Sequence, residues 1–413
     1  MRPNTRIEPE KPPNLRSDGT NRSVRRGLDE PRPPAMRLLS LSLRSFRAHA
    51  ETDLELAPRV NVFVGANGAG KTNLVEAVHY LGLGKSFLTS TDVHVVRRGA
   101  DHLDVSARVV GEHRSETAVR VVVMPGEGKR AFVGGAPLDR LADLIGTIPI
   151  VVLSPADYEL TAGGPSERRR FLDTTLSQAY PVYLDDLVTY RRALRQRNAL
   201  LQQVRRGRAL APGTMDAWDE ELAARGTRLG ERRAAFLGRF GAFVEQAYEL
   251  LGELGGEPTM RYAPSVDADA EAFRQALART ARRGRDLGRT LVGPHLDEVE
   301  FQLGGFDLRP YASQGQHRTF GLALRFAQAL FLRDHLDEPP IVLLDDVFGP
   351  LDAERSARVL GLLGSGEIGQ SLVTAARAEP FTDALAFGDE HALFHVEQGR
   401  VALTSSATLS ELP

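Results

Sequence analysis

The sequence contains no cysteine and very little lysine. Without cysteine the chain has no disulfides, thiol nucleophiles or cysteine-ligated zinc, a composition that fits a reducing cytoplasm. No run of 18 or more apolar residues occurs, so no membrane span is predicted. The N-terminus also lacks the apolar core of a secretory signal. The expected protein is cytoplasmic and has no contact with a membrane.

The shortage of lysine makes the few lysines informative. Of 52 basic residues, only four are lysine: Lys11, Lys71, Lys85 and Lys129. The other 48 (52 − 4) are arginine. A chain that nearly always uses arginine, yet places lysine at 71, indicates a specific requirement at that position.

Charge is unevenly distributed along the chain. The formal net charge is −2, but residues 161–240 carry 15 arginines, no lysine and nine acidic residues, a local net charge of +6 (15 − 9). This segment is either a solvated helical surface or a surface that attracts nucleic-acid phosphates. Charge alone does not decide between the two.

The chain divides into segments of different character. Residues 1–36 carry seven prolines and no aromatic residue, which predicts a disordered tail or an upstream extension with Met36 as the true start. Residues 37–155 show strand patterns around one helix, residues 156–285 are predicted to be helical, and residues 286–404 return to alternating strands and helices. Residues 405–413 are expected to be a short tail.

The strongest motif is "GANGAGKT", which matches the phosphate-binding loop pattern in full. It follows the apolar strand "VNVFV" and opens a helix, as such a loop requires. Lys71 is expected to reach the β- and γ-phosphates of a nucleotide, and Thr72 to hold Mg²⁺. The similar "GLGKS" at 82–86 lacks the first glycine, because position 79 is His79, so Lys85 is interpreted as a surface or packing lysine. The predicted nucleotide-binding residues of the loop are Gly65, Ala66, Asn67, Gly68, Ala69, Gly70, Lys71 and Thr72.

A second motif, "IVLLDDVFGPLD", places two carboxylates after four apolar residues. This pattern predicts a buried strand with acids at its C-terminal end. Asp345 is expected to hold Mg²⁺, and Asp346 to polarise the attacking water. The alternative is a strand end with two solvated acids before a turn.

A third motif, "YASQGQHR", opens a long helical segment. Ser313 is a good helix cap, but Gly315 in the first turn weakens a helix unless something must approach the backbone there. A helix N-terminus attracts anions. Ser-x-Gly-Gln, about 25 residues before an Asp-Asp strand, resembles the signature of ABC-type ATPases, which implies that Ser313, Gly315 and Gln316 contact nucleotide. Asp352 lies where such ATPases place a dimer-contacting aspartate.

The spacing of the motifs narrows the class. Thr72 and Ser313 are 241 residues apart (313 − 72), a longer gap than in transporter ATPases and a shorter one than in ATPases with long coiled coils. Pro181 and "APG" at 211–213 interrupt the insert. The predicted fold is therefore α/β, an ABC-type P-loop ATPase head split into two halves by a compact α-helical lobe.

The sequence resembles the RecF family of bacterial recombination and repair ATPases. The resemblance runs in order through "LRSFRAHAETDLELAPRVNVFVGANGAGKTNLVEAVHYL", "SPADYELTAGGPSERRRFLD", "GRTLVGPHLDEVEF", "SQGQHRTFGLALR" and "LLDDVFGPLD". It implies ATP-dependent homodimerisation, weak ATP hydrolysis with Mg²⁺, and binding to single-strand gaps and junctions of DNA. It also implies partnership with RecR, with RecO and RecA downstream, and a nucleotide contact at Arg47.

Several positions depart from the wider ABC pattern. "VVLSPAD" has no glutamine, and "LVTAARA" offers Thr374 and Arg377 where many relatives have a switch histidine. With Asp346 in place of the usual glutamate, these differences predict slow hydrolysis and a switch more than a motor. Leu296 stands where the family usually has arginine, and His295 is either a buried structural residue or a nucleotide or DNA contact.

Two alternatives remain beside a DNA-binding ATPase. One is a nucleotide-gated scaffold that acts through protein partners alone, and the other is a transporter ATPase, against which the 241-residue gap argues. If DNA is bound, the arginine-rich segment supplies the candidate contacts: Arg168, Arg169, Arg170, Arg191 and Arg192.

Overall fold

The structure, a computed structural model, describes residues 36–112, 114–252, 256–349 and 351–404. The predicted tails, 1–36 and 405–413, lie outside the described residues except for Met36, which is buried. Across these described ranges, no helix is both long and apolar enough to cross a bilayer.

Strands and helices alternate at both ends of the chain, and helices dominate the middle. The strands are β1 (Arg37–Phe46), β2 (His49–Glu55), β3 (Val60–Val64), β4 (Leu103–Gly111), β5 (Arg114–Met124), β6 (Gly128–Val133), β7 (Ala136–Pro137), β8 (Ile150–Leu153), β9 (Pro258–Ala263), β10 (Glu298–Leu303), β11 (Phe306–Asp307), β12 (Ile341–Asp345), β13 (Ser371–Ala375), β14 (His391–Glu397) and β15 (Arg400–Leu403). The helices are α1 (Lys71–Leu83), α2 (Tyr158–Ala162), α3 (Pro165–Ala179), α4 (Pro181–Arg205), α5 (Asp216–Leu251), α6 (Ala270–Leu287), α7 (Leu308–Tyr311), α8 (Gln314–Leu336), α9 (Ala353–Ser365) and α10 (Glu379–Thr382).

A six-stranded sheet joins the two halves of the head. Its order is β15-β14-β3-β13-β12-β8, and all neighbours are parallel except β14 and β15. Strands β3, β12 and β13 are buried at every position, which explains their uninterrupted apolar sequences. Because parallel strands end at the same edge, the segments after β3, β12 and β13 are brought together.

A second six-stranded sheet, of order β2-β1-β4-β5-β6-β7, is antiparallel. Its buried side chains share one apolar core with α1 and with one face of the parallel sheet. Helix α1 is buried on all sides from Leu74 to Leu83, since it has sheet residues around it on more than one face.

The helical segment confirms the predicted insertion but differs from it in one element. The predicted breaks at Pro181 and "APG" separate α3, α4 and α5. The prediction that residues 156–285 are helical throughout was wrong, because Pro258–Ala263 forms β9, which pairs with β10 after the insert. Hydrogen bonds to a strand distant in sequence override the local helical pattern there.

The insert also packs directly onto the helix that carries the third motif. Phe236 and Phe240 of α5 stack at 4.6 Å between ring centroids, and Phe236 meets Phe331 of α8 edge-on at 4.8 Å. Leu222 and Leu229 lie in the same core. The insert and the head therefore share a continuous apolar core on this side of the parallel sheet.

Candidate functional site

The phosphate-binding loop begins where β3 ends and stops where α1 begins. Gly65, Gly68 and Gly70 have φ angles of 155°, 81° and 110°, a region that glycine enters without strain. Ala66, Asn67 and Gly68 are exposed. No described side chain caps the N-terminus of α1, so its first N–H groups are available to an anion.

The rest of the chain encloses the base of this loop. A Cβ at Gly65 would collide with the carbonyl oxygen of Val396, and one at Gly70 would lie 3.0 Å from Nε2 of His49. The N–H of Gly399 donates to the carbonyl of Ala69 at 2.8 Å. Contacts from β14 and from the β1–β2 hairpin thus fix the loop's shape, and they require glycine at 65 and 70.

Lys71 lies at the first position of α1, with its ammonium group turned toward the loop. Nζ donates to the carbonyl oxygens of Gly65 at 2.7 Å and Ala66 at 2.9 Å. Partial burial lowers the pKa of Lys71, while Asp346 and Asp345 act in the opposite direction. The only lysine of the loop therefore lies close to both predicted carboxylates.

Thr72 and Asp345 meet as the metal prediction requires. The Thr72 hydroxyl donates to Oδ1 of Asp345 at 2.8 Å, across 273 residues of sequence. Burial raises the pKa of Asp345, and hydrogen bonds from Thr72 and Thr374 oppose that rise. Two neighbouring oxygen ligands suit Mg²⁺, which takes few protein ligands and completes its shell with phosphate and water. The described residues contain no group of three or more carboxylates or histidines that would hold a metal.

Asp346 differs sharply from its neighbour. Its side chain is exposed, whereas Asp345 is 6% exposed. The φ angle of Asp346 is 50°, in the left-handed region that is uncommon for residues other than glycine. This turn directs the second carboxylate away from the strand. Asp346 lines a cavity of about 280 Å³ together with Ser154, Tyr158 and Arg318. A cavity beside an exposed carboxylate has room for the water that this acid is predicted to activate.

Arg47 is held against α1 by a buried partner. Its guanidinium donates to both carboxylate oxygens of Glu76 on α1, at 2.9 and 2.6 Å, and to the carbonyl of His94 at 2.8 Å. Its backbone is left-handed, with φ of 52°. The nucleotide contact at Arg47 stays a prediction, and these bonds show what fixes the side chain near α1.

Two residues of the site were not assigned from the sequence. His49 is fully buried, with Nε2 at 3.0 Å from the carbonyl of Gly70 and Nδ1 at 3.0 Å from the Thr52 hydroxyl. Burial lowers the pKa of His49. Thr374 bonds to both acids of the second motif. No local pattern marks His49, whereas Thr374 was noted in the sequence only as a residue standing where many relatives have a switch histidine.

The third motif forms a capped helix start, as predicted. The Ser313 hydroxyl accepts from the N–H of Gln316 at 3.3 Å, and the Gln316 side chain accepts from the N–H of Ser313 at 2.8 Å. This reciprocal pair is a capping box. Ser313, Gln314 and Gly315 are exposed.

No contact within the described part of the chain requires a glycine at position 315. Apart from the adjacent residues and the backbone of α8 itself, the nearest atom to a Cβ placed there would be the Ser313 hydroxyl oxygen, at 3.9 Å. Nothing in the described part of the chain accepts a hydrogen bond from its N–H. The glycine therefore leaves both a free donor and open space at the positive end of the α8 dipole.

The five candidate DNA-binding arginines separate into two groups. Arg168 is buried, with its guanidinium bonded to Glu298 at 2.8 and 3.1 Å and to the carbonyl of Gly163 at 2.9 Å. Arg169 is partly buried and donates to the carbonyl of Asp297. The prediction that Arg168 meets DNA conflicts with its burial, because its guanidinium is bonded inside the fold. The DNA contact of Arg169 stays a prediction.

The second group is exposed, and we call it the arginine surface: Arg170, Arg191 and Arg192. Arg170 pairs with Glu167 at 3.0 Å and Arg191 with Asp173 at 2.7 Å. Among the described residues, Arg192 has no hydrogen bond or ion pair. The Arg170–Glu167 pair is the more exposed of the two and is expected to be weak. Asp173 is buried and also pairs with Arg233, so only the arginine of the second pair faces solvent.

The structure also supplies the surroundings of Lys85 and His295. Lys85 lies just after the C-terminus of α1. This is the negative end of the helix dipole, which is unfavourable for binding a phosphate. Partial desolvation and the nearby Arg191 and Arg170 lower the pKa of Lys85. His295 bonds to the Tyr190 hydroxyl at 2.7 Å and the Thr290 carbonyl at 3.4 Å, and burial lowers its pKa to about 4. This favours the structural interpretation of His295.

Comparisons with known proteins identify the family of the chain. A family model described as the RecF/RecN/SMC N terminal domain matches residues 37–401. The DNA replication and repair protein RecF of Salinibacter ruber is 50% identical over 359 residues, covering 85% of this chain and 87% of that protein. The protein of the same name from Streptomyces avermitilis is 38% identical over 363 residues, covering 85% and 96% respectively.

Solved structures give the same result. A structure described as the recombination mediator protein RecF with ATP, in the RecFOR pathway, superposes with a TM-score of 0.83 at 27% identity, covering 90% of this chain and 99% of the other. An Smc head domain from Pyrococcus furiosus superposes with a TM-score of 0.53 at 16% identity, covering 91% and 98%. The second similarity concerns the fold alone.

Proposed function

The chain belongs to the RecF family, and on that premise we propose that it is an ABC-type ATPase that dimerises on ATP and acts on DNA in recombination and repair. The observation that carries the proposal is the contrast between two helix starts. The N-terminus of α1 lies in a complete phosphate loop, whereas Gly315 at the start of α8 faces open space. An anion held by a second protein molecule would fill that space.

In this proposal ATP is held by the loop that follows β3. The N–H groups of the loop and of the first turn of α1 bind its phosphates. Lys71 moves its ammonium group from the carbonyls of Gly65 and Ala66 to the β- and γ-phosphates. Support comes from the full loop sequence, its glycine-specific backbone and the ATP-bound relative.

The two acids have separate tasks. Thr72 and Asp345 would hold Mg²⁺, which neutralises charge on the phosphates when it is bound. Asp346, exposed and beside a cavity, accepts a hydrogen bond from the attacking water and makes it a better nucleophile. Since the sequence lacks the usual loop glutamine and switch histidine, we expect slow turnover that ends the ATP-bound state.

The dimer is two-fold, with two ATP molecules between the protomers. Ser313 and the Gly315 N–H of one protomer approach the γ-phosphate held by Lys71 of the other, and Gln316 lies beside them. Phe306 and Tyr311, just before this motif, are 66% and 73% exposed. Their burial in the dimer would remove apolar surface from water and add to the attraction. ADP, without a γ-phosphate, would not hold the protomers together.

DNA binding is assigned to the arginine surface. Its three guanidinium groups lie on α3 and α4. Desolvation, together with the positive charges of Arg191 and Arg170, lowers the pKa of the neighbouring Lys85. Such a surface attracts phosphates without reading sequence. We propose single-strand gaps and junctions of cytoplasmic DNA as the ligand, with RecR as protein partner and RecO and RecA downstream. The name of the RecFOR pathway given to the ATP-bound relative supports this assignment.

The alternative function is a nucleotide-gated scaffold that binds protein partners and has no affinity for DNA. Filter binding of a gapped duplex, with and without ATP, separates the two. Retention of DNA that increases with ATP supports the ATPase on DNA. No retention at low salt in either condition would leave the scaffold. A transporter role has no support, since the family match covers the full head and insert.

The central experiment for the proposed function is measurement of molecular mass in solution. Light scattering after size exclusion would be performed with ATP and Mg²⁺, with ADP and Mg²⁺, and without nucleotide. We expect about twice the monomer mass with ATP alone. A monomer under all three conditions would contradict the proposed dimer.

A further inference from the structure

Thr374 connects the two acids of the candidate site. It lies near the end of β13, directly opposite Asp345 in the register of the parallel sheet. Its hydroxyl donates to Oδ1 of Asp345 at 2.8 Å and accepts from the N–H of Asp346 at 3.0 Å. The residue is 1% exposed, so water does not compete for these bonds.

The bond from the Asp346 N–H supports a part of the backbone that has an unfavourable conformation. Asp346 has a left-handed backbone, with φ of 50°, which is unfavourable for a residue with a side chain. Within the described residues, Thr374 is the sole acceptor for the Asp346 N–H. Removing this acceptor would allow the turn to relax toward an ordinary conformation and would change the direction of the Asp346 carboxylate.

The same hydroxyl also helps to set the rotamer of Asp345. Oδ1 of Asp345 accepts one hydrogen bond from the Thr72 hydroxyl on α1 and another from the Thr374 hydroxyl on β13. One donor precedes β12 in the sequence and the other follows it, and together they fix the position of the carboxylate. One buried hydroxyl therefore sets the relative orientation of both acids.

We propose that Thr374 is a positioning residue for ATP hydrolysis, whose hydroxyl holds Asp346 in the geometry that activates water. This inference rests on the proposed function of Asp346. Thr374 does not touch the reacting atoms and acts through the two aspartates. Because ATP binding depends on the loop after β3, removal of the hydroxyl should slow the chemical step more than it weakens nucleotide binding.

The test uses Thr374→Val, which keeps the shape of the side chain and removes the hydroxyl, and Thr374→Ser, which restores it. We expect Thr374→Val to lower kcat about tenfold or more, as small errors in positioning do, with KM for ATP nearly unchanged. Thr374→Ser should recover most of the rate. Thr175→Val is the matched control, since Thr175 is also a buried threonine, with its hydroxyl bonded to the Phe171 carbonyl on α3. It should turn over ATP as the wild type does.

Thermal unfolding and a double variant complete the experiment. If Thr374→Val is unfolded at the assay temperature, Thr374→Cys, which keeps the size but bonds weakly, takes its place. Combined with Asp346→Asn, loss of the hydroxyl should add little further slowing, because the two residues act as one unit. Wild-type kcat in folded Thr374→Val, equal slowing in Thr374→Ser, or full multiplication of effects in the double variant would overturn the inference. Normal hydrolysis by Asp346→Asn alone would instead overturn the proposed role of Asp346.

Discussion

The starts of α1 and α8 are two similar helix ends with opposite surroundings. Around α1, contacts from Val396, His49 and Gly399 enclose the phosphate loop and fix its backbone. Around α8, Ser313 and Gly315 are exposed, and beyond its own helix a Cβ at Gly315 would meet only the Ser313 hydroxyl oxygen, at 3.9 Å. The start of α1 is a fully formed phosphate-binding loop, which supplies one half of the proposed nucleotide site. The start of α8 has the chemistry of an anion site but no anion-holding partner in its own chain.

This difference explains how one glycine can be structural and another functional. Gly65 is required by the carbonyl of Val396, which leaves no room for a Cβ. Gly315 is required by nothing in its own chain, and it lowers the stability of α8. Its presence is accounted for when a second molecule approaches, which is the basis of the composite site proposed here.

The largest effect on ATP turnover is expected from a substitution in the phosphate loop at the start of α1. Lys71→Arg keeps the charge but places a planar, branched group in a loop that fits an ammonium. We expect ATP turnover to be lost and ATP binding to weaken, as measured by phosphate release and by nucleotide titration. Lys85→Arg, the same change in the similar "GLGKS" sequence, should leave both unchanged. Normal turnover in Lys71→Arg would contradict the loop assignment.

The second largest effect is expected at Asp346, the acid that follows β12 and lines the cavity. Asp346→Asn should keep ATP bound and lower the hydrolysis rate by about 10²-fold or more, because water activation is lost. The ATP-induced dimer should then persist longer in a mass measurement over time. A wild-type rate would show that Asp346 is not the base.

A smaller effect is expected on the arginine surface, away from both helix ends. Replacing Arg170, Arg191 and Arg192 together by alanine should weaken DNA binding about tenfold at moderate salt. It should also reduce the slope of log affinity against log salt by about 0.9 for each lost phosphate contact. ATP-driven dimerisation should be unchanged.

The control for the arginine surface is Arg130→Ala, an exposed arginine on β6 of the antiparallel sheet. It should leave DNA affinity as it is in the wild type. DNA binding that does not vary with salt in the unmodified protein would count against a surface that follows phosphates.

The smallest effect distinguishes the two glycines directly. Gly315→Ala should raise the free energy of unfolding by about 0.5–1 kcal/mol, because alanine is the better helix former. It should also weaken ATP-dependent dimerisation severalfold, since the methyl group occupies the space left for the phosphate. Gly238→Ala, at an exposed position of α5 without nearby atoms, should give the stability gain alone. Equal dimerisation in both variants would remove the functional reason for Gly315.

Much of the head could be predicted from sequence because its signals are local. The loop glycines, the apolar strand before Asp345 and the cap at Ser313 are each contained in a few neighbouring residues, and the structure has all three. The strand β9 was missed because its partner β10 lies 40 residues further along the chain (298 − 258). A local pattern does not specify a distant strand.

The same limitation applies to side chains. His49 contacts Gly70 across 21 residues, and Thr374 contacts Asp345 across 29. Arg168 looked like its exposed neighbour Arg170 in a run of three arginines, but its partner, Glu298, is 130 residues away. Burial and pairing depend on the tertiary fold, so charge counting in the segment did not separate structural arginines from those of the surface.

The composite site is tested most directly by mixing two inactive variants. Ser313→Arg blocks the exposed helix end, and Lys71→Met disables the phosphate loop, so each protein alone should have no ATPase activity. A mixed dimer contains one intact site, built from the loop of the first and the signature of the second. We predict that partial ATPase activity returns on mixing, and that it increases with protein concentration. Wild-type hydrolysis by Ser313→Arg alone, as a monomer, would contradict the account, as would a mixture that stays inactive although the mixed dimer forms.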